Sequence, residues 1–204
     1  MKTLTAVLFA GGESRRMGAD KATLVINGEP LWSRQVRLLR ELEPPKVIIS
    51  ARSRPAWCPS EIEVVPDAVP SCGPLSGLAA VLAAITTTHA LVLAMDLPLM
   101  EAGFLFDLWA ECEPGRGVVP AYDEFVEPLC AIYPAAAAGL VGAALAGEDF
   151  SLHGMVESLR SRQLLQVFPV SAEDHPLFLN LNTPAELSSL PTQSQFRQGV
   201  FSKC

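Results

Sequence analysis

Thr5 to Leu24 reads TAVLFAGGESRRMGADKATL, and its opening residues decide the fold. Ala6, Val7, Leu8 and Phe9 form an unbroken apolar run. That is the pattern of a strand buried on both faces, and such strands belong to parallel sheets with helices on each side. Ala10, Gly11 and Gly12 then remove the side chains. A backbone without Cβ at Gly11 and Gly12 can turn sharply and lie close to a ligand. Ser14, Arg15, Arg16, Met17, Gly18, Asp20 and Lys21 follow, so a cationic cluster comes directly after the glycines. A buried strand, a glycine loop and fixed cations in succession make a polyphosphate cradle. Loop N–H groups point at anionic oxygens, and Arg and Lys neutralise them.

Outward from this loop, strand and helix patterns alternate. Leu24-Val25-Ile26 followed by Asn27-Gly28 reads as a short extended piece and a turn. Pro30 suits the first turn of a helix to about Leu42, stopped by Pro44-Pro45. Lys46–Ser50 and Ile62–Pro66 read as buried strands, Pro74 opens an apolar helix to about Thr86, and Ala90–Ala94 is a further strand. A helix over Ala102–Cys112, strands at Gly117–Ala121 and Glu127–Tyr133, and helices over Ala135–Ala146 and Ser151–Leu159 complete the pattern. This alternation predicts an α/β protein, a single-domain three-layer α/β/α Rossmann-like fold with a mostly parallel sheet. The domain is expected to span residues 1–190, with 191–204 a loosely ordered C-terminal tail.

Composition narrows the function. The chain has 204 residues, half of them hydrophobic (50%), enough for one large core. Fifteen basic residues against 22 acidic ones leave a net charge of −7, which argues against nucleic acid as a partner because that needs an extended basic surface. No apolar run is long enough to span a membrane. Cys58, Cys72, Cys112, Cys130 and Cys204 lack CxxC spacing, so they read as reduced thiols of a cytoplasmic protein rather than a zinc site or disulfide framework. The apolar N-terminus mimics a signal peptide, but cleavage would remove the glycine loop.

Ligands of open α/β sheets bind beyond the carboxyl ends of the strands. The residues that follow the strands are Gly11 and Gly12, Ser50, Asp67, Asp96, and then Asn180 and Asn182. Asp96, in AMDLPLM, follows a buried strand and precedes a stiffening proline. It fits a Mg²⁺ ligand, since Mg²⁺ takes one or two carboxylates together with substrate phosphates; the plainer reading is a helix cap. Asp67 precedes Gly73-Pro74 and Gly77 in VVPDAVPSCGPLSGL, a tight turn into a helix that can lie against a flat ligand. Asn180 and Asn182 alternate around Leu181 in FLNLNTPAEL, ahead of a capping box that starts at Thr183. They stand equally for site residues and for a structural turn.

The first motif is neither GxxxxGK[ST] nor GxGxxG: Lys21 lies between Asp20 and Ala22, and the glycines are adjacent. Its pattern, A-G-G-x-S-x-R-M-G-x-D-K, closely resembles the opening motif of nucleotidyltransferases of the molybdenum cofactor guanylyltransferase (MobA-like) family. The resemblance runs to about Leu190. It implies Mg²⁺-dependent transfer of GMP from GTP to molybdopterin, the molybdenum cofactor, with release of pyrophosphate. Arg16, Lys21 and Asp96 would be the catalytic residues, with Asp96 on the metal. Phe9, Ala10, Gly11, Gly12, Lys21, Ser50, Asp67, Gly73, Asn180 and Asn182 would bind substrate. Molybdoenzyme apoproteins and cofactor-insertion proteins are the further partners implied. A relative using CTP or a sugar phosphate, and a non-catalytic molybdopterin chaperone, stay open as alternatives. The sequence departs from the family pattern in having Phe9 for the usual Leu and Ser50 for a frequent Asn. Pro120–Pro134 also lacks the His and Arg of some relatives, a departure that bears on the acceptor contacts more than on the nucleotide contacts.

Overall fold

The structure, a computed structural model, describes residues 1–11, 20–69, 72–147 and 149–181. Arg16, Gly12, Asn182 and the expected tail lie outside the described residues.

The first apolar run is strand β1, Leu4–Phe9, buried at every position. It lies parallel to β4 (Lys46–Ser50) on one side and to β6 (His89–Ala94) on the other. β5 (Glu63–Val65) extends the sheet beyond β4, also parallel. On the far side of β6 the direction changes, because β9 (Cys130–Pro134) pairs with β6 antiparallel. β7 (Gly117–Tyr122) pairs antiparallel with β9 and parallel with β10 (Leu165–Pro169), and β8 (Phe125–Val126) folds back on β7. Among the described residues the main sheet has 8 strands, with the order β10-β7-β9-β6-β1-β4-β5 and β8 attached to β7. Asn27 (φ 52°) and Gly28 (φ 84°) join a separate small hairpin of β2 (Val25–Ile26) and β3 (Glu29–Pro30). Positive φ at both turn residues is what a twisted hairpin needs, and Asn-Gly supplies it.

Two apolar layers bury the two faces of the sheet. Leu4, Ala6 and Leu8 of β1 pack with Leu91 and Leu93 of β6 under α1 (Leu31–Glu41) and α3 (Ala102–Glu111). Val7 and Phe9 pack with Ala90 and Val92 under α2 (Gly73–Ala84), α4 (Ala138–Ala144) and α5 (Leu152–Ser161). Alternating side chains of one strand thus feed both cores, which is why the run is apolar without interruption. The expected three-layer α/β/α arrangement is the one found.

Several boundaries differ from the sequence expectation. Pro30 precedes the first helix as its N-cap residue and pairs in β3. Glu127–Tyr133 is not one strand: β9 starts only at Cys130, and the Cys130 N–H closes a turn on the Glu127 carbonyl at 3.3 Å. Pro128 sits inside this turn, where its fixed φ suits the second turn position and its missing N–H costs no ladder bond. The alanine-rich segment opens with a tight 3₁₀ turn, Ala135–Ala137, and its α-helical part ends at Ala144, with Gly139 and Gly142 lowering its propensity. β3, β8 and β10 are the strands the sequence pattern missed. Cys58, Cys112 and Cys130 are buried free thiols, and burial pushes the Cys112 thiol up to about 12.

Candidate functional site

β1 and β6 lie side by side, so their carboxyl ends deliver Phe9, Ala10 and Gly11 next to Asp96. The Met95 N–H donates to the Phe9 carbonyl at 3.0 Å, and the Ala10 N–H donates to the Ser50 carbonyl at 2.9 Å. Phe9, Ala10, Gly11, Lys21 and Asp96 line one pocket. A Cβ at Gly11 would meet nothing within 4 Å, so the backbone there borders open space.

Lys21 reaches the same pocket from the other end of the loop. Its Nζ lies 3.8 Å from Asp96 Oδ2, with the side chains 19% and 33% exposed. The turn from which it projects is held by Asp20, a residue for which the sequence suggested no separate role. Asp20 caps the short turn Lys21–Thr23: its Oδ1 accepts from the Ala22 N–H at 3.1 Å and its Oδ2 from Trp57 Nε1 at 2.8 Å. Trp57 in turn stacks on Trp32, with centroids 5.7 Å apart. The aspartate before the lysine therefore fixes the direction in which the lysine leaves the backbone.

The turn that carries Asp96 is clamped from α1. Arg34 Nε donates to the Pro98 carbonyl at 2.8 Å, an Arg34 terminal nitrogen to the Met100 carbonyl at 3.0 Å, and Gln35 Nε2 to the Leu97 carbonyl at 2.8 Å. Both side chains are buried, and burial pulls the Arg34 guanidinium below its ordinary range. The signal was present in the helix register. Arg34 and Gln35 fall three and four residues after the buried Leu31, and Leu38 falls four and three after them, so two polar residues sit on the apolar face.

A second cluster adjoins the pocket on the β4 and β5 side. Phe9, Ser50 and Asp67 converge on Gly77 of α2. A methyl at Gly77 would lie 2.7 Å from Ser50 Oγ, 3.1 Å from Phe9 Cε1 and 3.4 Å from Asp67 Oδ1. Burial pushes the Asp67 carboxyl up, with Arg52 opposing. Gly73 opens α2 at φ +59°, a conformation that side chains resist. The Ser76 hydroxyl accepts from the Val69 N–H and donates to the Val69 carbonyl, both at 2.7 Å, tying the helix to the Asp67 loop.

Asn180 is exposed, and its neighbour Leu181 donates its N–H to the Asp96 carbonyl at 2.9 Å. The asparagine segment therefore borders the Asp96 turn. Among the described residues, no three His, Cys, Asp or Glu side chains are grouped to hold a metal. One half-exposed carboxylate beside open space that phosphate can enter suits Mg²⁺, which keeps waters and shares its coordination with substrate.

A family model described as the MobA-like NTP transferase domain matches residues 6–179. The chain is 37% identical over 186 residues to a probable molybdenum cofactor guanylyltransferase from Opitutus terrae, covering 90% of this chain and 92% of that one. It is 34% identical over 189 residues to the molybdenum cofactor guanylyltransferase of Xanthomonas euvesicatoria pv. vesicatoria, covering 91% and 93%. The crystal structure of molybdopterin-guanine dinucleotide biosynthesis protein A from Archaeoglobus fulgidus superposes with a TM-score of 0.68 at 23% identity, over 91% of this chain and 95% of that one, which is a likeness of fold.

Proposed function

The chain belongs to the MobA-like NTP transferase family, and we propose that it transfers GMP from GTP to molybdopterin, forming the guanine dinucleotide cofactor and pyrophosphate. The observation that carries this reading is the meeting of Lys21 and Asp96 at 3.8 Å in a pocket bordered by Phe9, Ala10 and Gly11. In the proposed reaction the terminal phosphate oxygen of molybdopterin bonds to the α-phosphorus of GTP. The bond from that phosphorus to the α,β-bridging oxygen breaks, and pyrophosphate leaves with the electron pair. The chain forms no covalent bond; it positions both substrates and meets developing charge with fixed groups. Lys21 is assigned to the charge of the departing pyrophosphate, with Arg16 as its partner. Phe9, Ser50, Asp67 and Gly73 are assigned to the nucleoside end, Gly12 to the polyphosphate crossing, and Asn180 and Asn182 to the acceptor side. Asp96 would hold Mg²⁺, which when bound neutralises phosphate charge. Among the described residues no helix is long and apolar enough to cross a membrane. The free thiols support a cytoplasmic protein.

Thermal shifts with GTP, ATP, CTP and UTP, each with Mg²⁺, test the nucleotide. A ligand at a hundred times its Kd adds about 2.7 kcal/mol. For a chain of this size that is roughly 5–11 °C. GTP is expected to give the largest shift, and pyrophosphate release with molybdopterin to follow the same order. A larger response to CTP would overturn the guanylyl assignment and leave the fold untouched.

Gly77→Ala tests the nucleoside end. Ser50 Oγ can rotate from the new methyl, and alanine gains about 1 kcal/mol in helix propensity over glycine, so the ligand-free melting temperature should move by no more than a few degrees. The GTP-induced shift should fall by at least half, because Phe9, Ser50 and Asp67 must yield space to the methyl. An undiminished shift would remove this cluster from the site.

A further inference from the structure

The residues assigned to nucleotide lie on the β1, β4 and β5 side of Asp96. On its other side, where β9 runs antiparallel beside β6, stands a group without an assignment. Glu127 lies in the connection from β8 to β9. Its N–H donates to the Pro120 carbonyl at 3.0 Å, which extends by one step the ladder of Ala121 with Val126 and Tyr122 with Phe125. Its Oε1 accepts from the Leu129 N–H at 3.1 Å. Leu129 forms part of the wall of the Lys21–Asp96 pocket, and its carbonyl accepts from the Ala94 N–H at 2.7 Å. Glu127 is therefore fixed to the pocket rim by one oxygen. Among the described residues the other oxygen accepts no hydrogen bond. Burial foremost, with the charge of Asp96 adding, pushes this carboxyl up against the pull of the Leu129 N–H and of His153. A carboxylate kept in such surroundings is suited to an external donor.

The same hairpin carries aromatic surface. Tyr122 and Phe125 are cross-strand partners with ring centroids 6.4 Å apart, and Phe125 is 63% exposed. Partners directly opposite share a sheet face, and i, i+2 alternation brings Glu127 to the side of Phe125. The Tyr122 ring is 5.3 Å from Phe178, whose segment continues to Leu181 and its bond to the Asp96 carbonyl. A carboxylate and an aromatic pair, Phe125 exposed and Tyr122 half-buried, thus flank one turn, away from the nucleoside cluster.

We infer that Glu127 recognises the acceptor by its pterin edge, accepting from the 2-amino group and N3–H, while Phe125 and Tyr122 lie against the ring. The inference rests on the reading of the acceptor as molybdopterin. The 2-amino-4-oxo edge presents two parallel N–H donors, the complement of a carboxylate. Aromatic side chains supply a face for a flat heterocycle.

Steady-state kinetics of Glu127→Gln, with Mg²⁺-GTP saturating and molybdopterin varied, test it. The glutamine oxygen can still accept from the Leu129 N–H, but its amide NH₂ meets a donor. The KM for molybdopterin should rise about tenfold or more, with the KM for GTP and the saturated kcat within about threefold of wild type. Phe125→Ala, at an exposed ring whose loss spares the core, should raise the same KM and leave that for GTP unchanged. An unchanged molybdopterin KM in both variants refutes the inference. So does a fall in kcat that added Mg²⁺ restores, which would make Glu127 a metal ligand. Wild type that turns over while Glu127→Gln matches it refutes the role of Glu127 alone. Wild type that makes no product from GTP and molybdopterin refutes the guanylyl reading, and this inference with it.

Discussion

Asp96→Asn loses at least ~100-fold in turnover while melting within a few degrees of wild type: this is the largest catalytic effect expected of any single change in the described residues. Asparagine keeps the shape of the side chain and removes its charge. The ion pair with Lys21 at 3.8 Å is partly exposed, on side chains 19% and 33% accessible, so its loss hardly alters stability. The turn itself is held by Arg34 and Gln35 through the carbonyls of Leu97, Pro98 and Met100, which the substitution does not touch. Charge stabilisation by a bound divalent ion is worth several kcal/mol of barrier, and each ~1.4 kcal/mol is a factor of ten in rate. Pyrophosphate release by the purified variant, alongside its melting curve, checks both halves. A variant that retains more than about a tenth of the wild-type rate would remove Asp96 from the metal role.

Gly117→Ala is expected to lower stability by about 3 kcal/mol. The largest effect on folding thus falls outside the site, at the first residue of β7. A Cβ there would overlap the Ile132 carbonyl oxygen and lie 3.0 Å from Leu165 Cδ2. Ile132 belongs to β9, whose backbone is bonded to β6, and Leu165 begins β10, so the obstacle is ladder backbone with no rotamer to adopt. A loss of that size lowers Tm by roughly 6–12 °C in a chain of this length. Calorimetry of the variant decides it, and a melting temperature within 2–3 °C of wild type would mean that the sheet yields at this point.

What could be read from the sequence followed the strength of the local signal. β1, β4 and β6 were plain because both faces of each are buried, leaving uninterrupted apolar runs. β8 has two residues and β10 is an edge strand ending in Pro169, so neither carries a period to detect. The antiparallel run of β9 depends on the turn at Glu127–Cys130, and strand direction leaves no mark in a five-residue apolar stretch. Within the site, the nearness of Lys21 to Asp96 followed from the rule that loops gather at the carboxyl ends of strands. The supports of these two residues did not. Trp57 lies 37 residues from Asp20, and Arg34 lies 64 from Pro98, so only tertiary folding joins them. Arg34 and Gln35 could have been found by asking why two polar residues share the face of Leu31 and Leu38.

The hydrogen bond from Leu181 to the Asp96 carbonyl bears on how the protein is made. The two residues are 85 positions apart, with α5 and β10 between them in the chain. On a ribosome adding roughly 5–20 residues per second, the partner of Asp96 is synthesised about 4–17 s after Asp96 itself. Until then the glycine loop can already have left the exit tunnel, yet the turn beside it lacks its last tether. A nascent chain therefore passes through a period in which the Asp96 turn is incomplete, and that period closes only once Leu181 has been made.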